Sequence, residues 1–155
     1  MVIGRDTRES GPALARALAE GLVDGGLDVT SLGVVPTPAV AHECQIDGVA
    51  GAVVSASHNP WFDNGIKLFA PGGTKLPDDV EDAIESRLRE EWTRPTGRGV
   101  GRVTDHGEGA EMYVEHLLST LPNRLDGLRV VVDGANGAAS YVGPEALRRA
   151  GAEVV

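Results

Sequence analysis

The chain has 155 residues, enough for one domain or for one domain and part of another. Its 23 acidic and 14 basic residues give a formal net charge of −9, which excludes nucleic acid and anionic membrane surfaces as expected partners. Cys44 is the only cysteine, and no apolar run reaches the roughly 18 residues of a membrane span, so a cytoplasmic location is expected.

Strands and helices alternate through the first half of the chain. Residues 2–3 read as the end of a strand, and Ser10 as the cap of a helix that carries leucines at i, i+4 and i+8 and ends at a Gly-Gly pair. A strand over 28–32 precedes a helix capped by Thr37, and the apolar run 49–54 is typical of a strand covered on both faces. This alternation predicts an α/β fold with a doubly wound, parallel or mixed sheet.

The second half begins with a strand over 66–69 and a helix opened by Pro77, whose apolar stripe is Val80, Ile84, Leu88 and Trp92. Residues 93–109 are rich in Gly, Arg and Thr, which indicates a domain edge or an exposed hairpin. A helix over 110–121 and the start of a βαβ unit from residue 129 follow. We expect a first α/β domain over 1–107, truncated at its N-terminus, and the truncated beginning of a second, similar domain over 108–155.

The segment 51–69 concentrates the side chains that could carry chemistry. It leaves a buried strand, where ligands bind in doubly wound sheets, and it contains hydroxyls, an imidazole, amides and a lysine. Because Ser, Asn and Pro are also ordinary turn residues, a purely structural loop stays open on composition alone. A hydrolase built on Ser57 and His58 is disfavoured, since adjacent side chains diverge from an extended backbone and no G-x-S-x-G elbow is present.

Several motifs in this chain resemble those of the α-D-phosphohexomutase superfamily, in its hexosamine-phosphate branch. The principal pair is Ser-Ala-Ser-His-Asn-Pro at 55–60 and Asp-Asn-Gly-Ile-Lys at 63–67, similar to the family's phosphoserine loop. Further collinear matches lie at 4–8, 36–40, 73–77 and 132–137. Agreement in order along essentially the whole chain is a strong signal, whereas the Asp133 turn alone is weak and reads as a tight structural βα turn.

The resemblance implies a phosphoserine enzyme that interconverts glucosamine 6-phosphate and glucosamine 1-phosphate through a sugar bisphosphate. Ser57 would carry the phosphoryl group and supply an oxygen ligand to Mg²⁺, whose other ligands in the family are carboxylates of an Asp-Gly-Asp-Gly-Asp loop that this chain lacks. Lys67 and His58 are the further candidate catalytic residues, with His58 expected to orient the loop. The candidate substrate-binding residues are Ser55, Asn59 and Arg8.

Arg8 also has a second interpretation, a salt bridge with Asp6 or a neighbouring acid. The remaining histidines, His42, His106 and His116, have no metal-ligand spacing. Two other functions stay open: a mutase for mannose or glucose phosphates, and a non-catalytic α/β binding domain built on the Asp133 turn. Because the family's sugar-recognition and carboxylate loops are absent, we expect a fragment that is inactive by itself.

Overall fold

A five-stranded sheet organises the first two thirds of the chain in the computed structural model, which describes residues 1–155. Its strands are β1 (Val2–Arg5), β2 (Val29–Val34), β3 (Gly51–Val54), β4 (Ile66–Phe69) and β5 (Val103–Asp105). The spatial order is β4-β3-β1-β2-β5, with β4 antiparallel to β3 and every other pairing parallel. Four parallel strands with one antiparallel edge strand confirm the predicted mixed α/β sheet.

Helices cover both faces of this sheet. They are α1 (Gly11–Asp24), α2 (Thr37–Asp47) and α4 (Gly109–Ser119), whereas α3 (Asp78–Arg87) buries no residue. The connection from β1 to β2 runs through α1 on one face, and the connection from β2 back across β1 to β3 runs through α2 on the other, which is the doubly wound arrangement. No helix is both long and apolar enough to cross a membrane.

A small second unit follows the sheet. It consists of β6 (Arg129–Val130), α5 (Ala139–Ala150) and β7 (Glu153–Val154), with β6 and β7 parallel. Helix α4 joins the two parts of the molecule. Its Val114 packs against Val142 and Ala146 of α5, while its Tyr113 also contacts the core beneath α2. The ring of His116 on α4 stacks on that of His42 on α2, with the centroids 3.5 Å apart.

Some local predictions fail, because they depend on hydrogen bonds and strand pairings that residue composition does not reveal. Ser10 occupies the predicted N-cap position of α1, but its backbone is already helical and its hydroxyl makes no capping bond, donating instead to the side chain of Asn64. Helix α2 begins at Thr37, so its cap is Pro36. The stretch predicted as a domain edge or hairpin contributes the edge strand β5, which pairs with β2. Its three exposed side chains alternate too briefly to predict a strand.

Helix α3 has the predicted apolar stripe but buries none of it. Val80 and Ile84 are about two-fifths exposed, and the helix ends at Arg87, before Leu88 and Trp92. Trp92 instead lies under the guanidinium of Arg94, 5.5 Å from the ring centroid. The stripe is therefore an exposed surface of this chain.

Candidate active site

The candidate active site lies where β1 and β3 end side by side. The two strands are parallel neighbours, so the segments that leave their carboxyl ends meet at one edge of the sheet. The backbone N–H of Asp6, just after β1, donates to the carbonyl of Val54, the last residue of β3, at 3.0 Å. Arg8, Ser55 and Asn64 line a narrow crevice at this place.

Ser57 stands at the exposed turn of the loop that follows β3, with a positive φ of 56°. A non-glycine residue in the left-handed region costs about 1–2 kcal/mol, so neighbouring interactions must hold it there. One of them is the bond from its backbone N–H to the hydroxyl oxygen of Ser55, at 3.0 Å. Ser55, predicted to bind substrate, thus has a contact inside the loop that supports Ser57.

His58 lies within hydrogen-bonding reach of the serine. Its Nδ1 is 3.3 Å from the hydroxyl oxygen of Ser57. The argument that adjacent side chains must diverge was wrong here, because it assumed an extended backbone and Ser57 is left-handed. The second ring nitrogen of His58 contacts no protein acceptor, so the third group that orients a hydrolase base is missing within this chain.

Asn59, the second predicted substrate-binding residue of the loop, is held by bonds to the loop itself. Its side-chain amide donates to a carboxylate oxygen of Asp63 at 3.2 Å, and its backbone N–H donates to the carbonyl of Ala56 at 3.1 Å. The amide–carboxylate bond spans the turn between the two halves of the motif. Asn59 therefore helps to fix the shape of the loop.

Arg8 reaches this loop from the end of β1. Its Nε donates to a carboxylate oxygen of Asp6 at 3.0 Å, which matches the salt bridge considered from the sequence. Its two terminal nitrogens donate to four backbone carbonyls of the loop, those of Ser57, Asn59, Pro60 and Asp63. With its side chain only 13% exposed, the guanidinium faces the loop rather than solvent.

Lys67 is placed close to the same edge by strand pairing. It is the second residue of β4 and lies opposite Val53 in the antiparallel pairing with β3. Its side chain is exposed and forms neither an ion pair nor a hydrogen bond with the rest of the chain. The structure thus leaves a free ammonium two residues after Gly65, whose carbonyl accepts the N–H of Ser55 at 2.9 Å.

Two contacts at the site were missed by the sequence analysis. The hydroxyl of Ser10 donates to the side-chain oxygen of Asn64 at 2.5 Å, which ties α1 to the end of the loop. The hydroxyl of Thr7 donates to the carbonyl of Asn136 at 2.8 Å, so the Asp133 turn adjoins the segment after β1. Residues 135 and 136 are both left-handed without being glycine. The only sequence signal for this proximity was that both segments follow strands.

Few side chains of this chain could ligate a metal ion. No three His, Cys, Asp or Glu side chains cluster in a way that could hold one. The two carboxylates nearest the loop already have partners, Asp6 in Arg8 and Asp63 in Asn59. The exposed hydroxyl oxygen of Ser57 is therefore the remaining candidate ligand for a metal ion in this chain.

Comparison with known proteins places this arrangement in a family. Residues 1–94, more than half of the chain, match the model for phosphoglucomutase/phosphomannomutase, alpha/beta/alpha domain I. The chain therefore belongs to the phosphoglucomutase/phosphomannomutase family, as the resemblance of its motifs predicted. A solved structure from the same family, from Burkholderia thailandensis, superposes with a TM-score of 0.79 at 30% identity, covering 99% of this chain and 34% of that one.

More specific similarity comes from curated relatives named phosphoglucosamine mutase. The protein of Acidothermus cellulolyticus is 61% identical over 155 residues, and that of Thermobifida fusca is 58% identical over 155 residues. Each alignment covers 99% of this chain and 34% of the relative. The chain thus spans about a third of the length of the curated relatives it matches.

Proposed function

We propose that this chain is the phosphoserine-bearing part of a phosphoglucosamine mutase. The observation that carries the proposal is Ser57, exposed and held in a left-handed conformation at the carboxyl edge of the sheet. Relatives that share 58–61% of its residues bear that enzyme's name. A mutase for mannose or glucose phosphates is the alternative, since the family model matched by residues 1–94 is named for those two activities.

In the proposed reaction Ser57 begins as a phosphoserine. A hydroxyl of the sugar monophosphate attacks phosphorus, the bond to the Ser57 oxygen breaks, and the proton of the attacking hydroxyl ends on that oxygen, giving a sugar bisphosphate and free serine. The reverse step with the other phosphate of the sugar restores phosphoserine and releases the isomeric monophosphate. Glucosamine 6-phosphate and glucosamine 1-phosphate would be interconverted without net gain or loss of phosphate.

Two neighbours of Ser57 have supporting roles in this proposal. His58, at 3.3 Å, would orient the serine oxygen by a hydrogen bond. Lys67, free of any partner in the chain, would place its positive charge near the oxygens that carry the transferred phosphoryl group. Ser55 and Asn59 would contribute by maintaining the loop through the bonds described above.

Mg²⁺ is part of the proposal because the phosphoserine of this family is expected to ligate it. In this chain phosphorylated Ser57 would hold the ion, and the carboxylate ligands would lie in the Asp-Gly-Asp-Gly-Asp loop, which the sequence does not contain. When bound, the ion would neutralise negative charge on the phosphoryl oxygens. A cytoplasmic location and a domain division near residue 107 also stay predictions.

The test is made in a protein of the relatives' length that carries this chain. Mass spectrometry should locate a phosphate on Ser57, and Ser57→Ala should abolish turnover of glucosamine phosphate in a coupled assay. Ser86→Ala is the matched control, because Ser86 lies on α3 and its hydroxyl donates only to the carbonyl of Ala83. Phosphate on Ser55 alone, with Ser57→Ala still active, would overturn the proposal. Faster turnover of mannose or glucose phosphate would favour the alternative.

The 155-residue chain by itself is expected to be inactive under this proposal. Phosphoryl transfer depends on positioned cations around the moving group, and the chain supplies only a small part of such a site. The same assay with Mg²⁺ and a sugar bisphosphate activator measures this. Sustained turnover by the purified chain would show that the residues described here suffice. Thermal protection by a nucleotide, instead of by a phosphosugar, would favour the non-catalytic binding domain.

A further inference from the structure

Arg8 was expected to bind substrate, but its hydrogen bonds indicate a different task. An arginine has five N–H donors, and those of Arg8 are directed at the carboxylate of Asp6 and at four backbone carbonyls. The carbonyls belong to Ser57, Asn59, Pro60 and Asp63, at 2.6–3.1 Å. A phosphate could bind this guanidinium only if bonds to the loop were broken first.

The four carbonyls determine which way the loop's peptide groups face. All peptide bonds in the chain are trans, and in a trans peptide the C=O and the following N–H point in opposite directions. Carbonyls directed at Arg8 therefore send the next N–H away from it. Those N–H groups belong to His58, Trp61 and Asn64, while the peptide after Asn59 leads into Pro60, which has none.

The three outward N–H groups have no acceptor within the protein. Because the carbonyls converge on one guanidinium, these N–H groups diverge from it, and only that of His58 belongs to the peptide that directly follows Ser57. A free backbone N–H beside a phosphorylated residue can donate to a phosphate oxygen. Because Arg8 fixes this peptide, its N–H needs little reorganisation when negative charge arrives.

We propose that Arg8 is a positioning residue, which binds the carbonyls of the Ser57 loop and thereby holds Ser57 left-handed and keeps the N–H of His58 free to donate to the phosphoryl group. The inference rests on the proposed phosphoserine function. Arg8 itself touches no reacting atom. Asp6 fixes the guanidinium by accepting from both its Nε and its backbone N–H, each at 3.0 Å.

Lysine cannot replace arginine in this role. Its ammonium has three donors on a flexible stem, whereas the guanidinium is a rigid planar fork that can serve four carbonyls and a carboxylate together. A role that depended on charge alone would tolerate Arg8→Lys. The activity of the Arg8→Lys variant therefore distinguishes a positioning role from general electrostatic attraction.

The experiment compares Arg8→Met and Arg8→Lys with Arg16→Met in a protein of the relatives' length. Arg16 lies on α1, is exposed and forms no ion pair, so its loss removes the same charge without touching the loop. Hydrogen exchange of residues 55–65 is measured by mass spectrometry, with residues 72–76 as an internal control. The kcat and KM for glucosamine phosphate and the fraction of Ser57 phosphorylated are measured on the same samples.

Both Arg8 variants should speed exchange in 55–65 and lower kcat by at least about tenfold with little change in KM, while 72–76 and the Arg16 variant stay as in the wild type. In Arg8→Ala, guanidinium chloride at non-denaturing millimolar concentration should restore part of kcat, and ammonium should not. Wild-type kcat in Arg8→Lys, or a loosened loop with unchanged kcat and Ser57 phosphorylation, would overturn the inference.

Failure of the proposed function gives a different result. The wild type would then show no phosphate on Ser57 and no mutase turnover, whereas the exchange data would still report whether Arg8 holds the loop. Unchanged exchange in both Arg8 variants would overturn the positioning role whatever the enzyme's substrate.

Discussion

The hydroxyl oxygen of Ser57 lies 3.3 Å from Nδ1 of His58, although the two residues are neighbours in sequence. This contact exists because Ser57 is left-handed, with φ at 56°. It joins the proposed phosphoryl carrier to the one imidazole at the site. The size of its effect on the reaction distinguishes between two roles for that imidazole.

Replacing His58 by alanine should lower kcat about fivefold, the loss expected when one hydrogen bond of about 1 kcal/mol is removed. The loop should keep its shape, since Arg8 holds it through main-chain carbonyls. Steady-state kinetics measure the effect, with His106→Ala as control because His106 contacts Met112. A loss of 10²-fold or more would mean that His58 transfers a proton.

Lys67 gives a prediction about charge. Lys67→Met should lower kcat by at least about tenfold, a loss of roughly 1.4 kcal/mol of transition-state stabilisation. The fold should be unaffected, because the side chain is exposed and has no partner in the chain. Lys75→Met is the matched control, since Lys75 is paired with Asp78 and Glu81. An unchanged kcat/KM for Lys67→Met would reduce Lys67 to a surface charge.

The stacked pair of His42 and His116 predicts a pH dependence of stability. Burial, followed by the nearby charge of His116, lowers the pKa of His42 below its ordinary 6.5. As the pH falls through 6.5, His42 therefore takes up a proton in the unfolded chain before it does so in the folded chain. The stabilisation that is present above pH 6.5 is lost as the pH falls toward the lower pKa of the folded state.

Melting temperatures between about pH 8 and pH 5 test this expectation. His42→Phe should keep the stacking and flatten the dependence, while His116→Phe should flatten it less, because burial is the larger cause. Glu43, whose pKa is raised by burial, is present in all three proteins and cancels from the comparison. Identical slopes in wild type and His42→Phe would contradict the prediction.

Gly51 gives a prediction about packing in β3. A Cβ at this position would collide with the sulfur of buried Cys44 and lie 3.0 Å from a methyl of Val2. Gly51→Ala should therefore cost about 1–3 kcal/mol of unfolding free energy, and adding Cys44→Ala should recover part of it. Gly143→Ala is the control, since nothing lies within 4 Å of its added Cβ. Additive losses in the double mutant would disprove the collision.

The architecture was predictable because long periodic patterns and buried apolar runs determine it. The run ending at Val54 and the strand at 66–69 lie where the sequence placed them. Strand β5 was not predictable, because its three residues are exposed and its pairing depends on β2, which lies far away in sequence. Short strands at a sheet edge are set by tertiary contact more than by propensity.

The sequence selected residues that lie together in the structure, but it did not predict their geometry. Motif resemblance selected Ser57, His58 and Arg8, yet neither the left-handed turn nor the four carbonyls around Arg8 can be read from residue types. Hydrogen bonds to backbone atoms leave no compositional signal, because every residue except proline offers the same groups. That is why a cation predicted to bind phosphate is found bound to the loop.

The bonds that shape the Ser57 loop join distant parts of the chain, since Ser57 lies 49 positions after Arg8 and Asp63 lies 55 positions after it. Contacts of such sequence separation form slowly, because closing the intervening chain costs entropy before the contact can stabilise the fold. During synthesis Arg8 leaves the ribosome well before its acceptors exist, and β1 must pair with β3 before they can meet. An unfolded or mispaired chain would therefore carry Ser57 as an ordinary serine, so that the proposed phosphoryl chemistry would be confined to molecules that have completed the sheet.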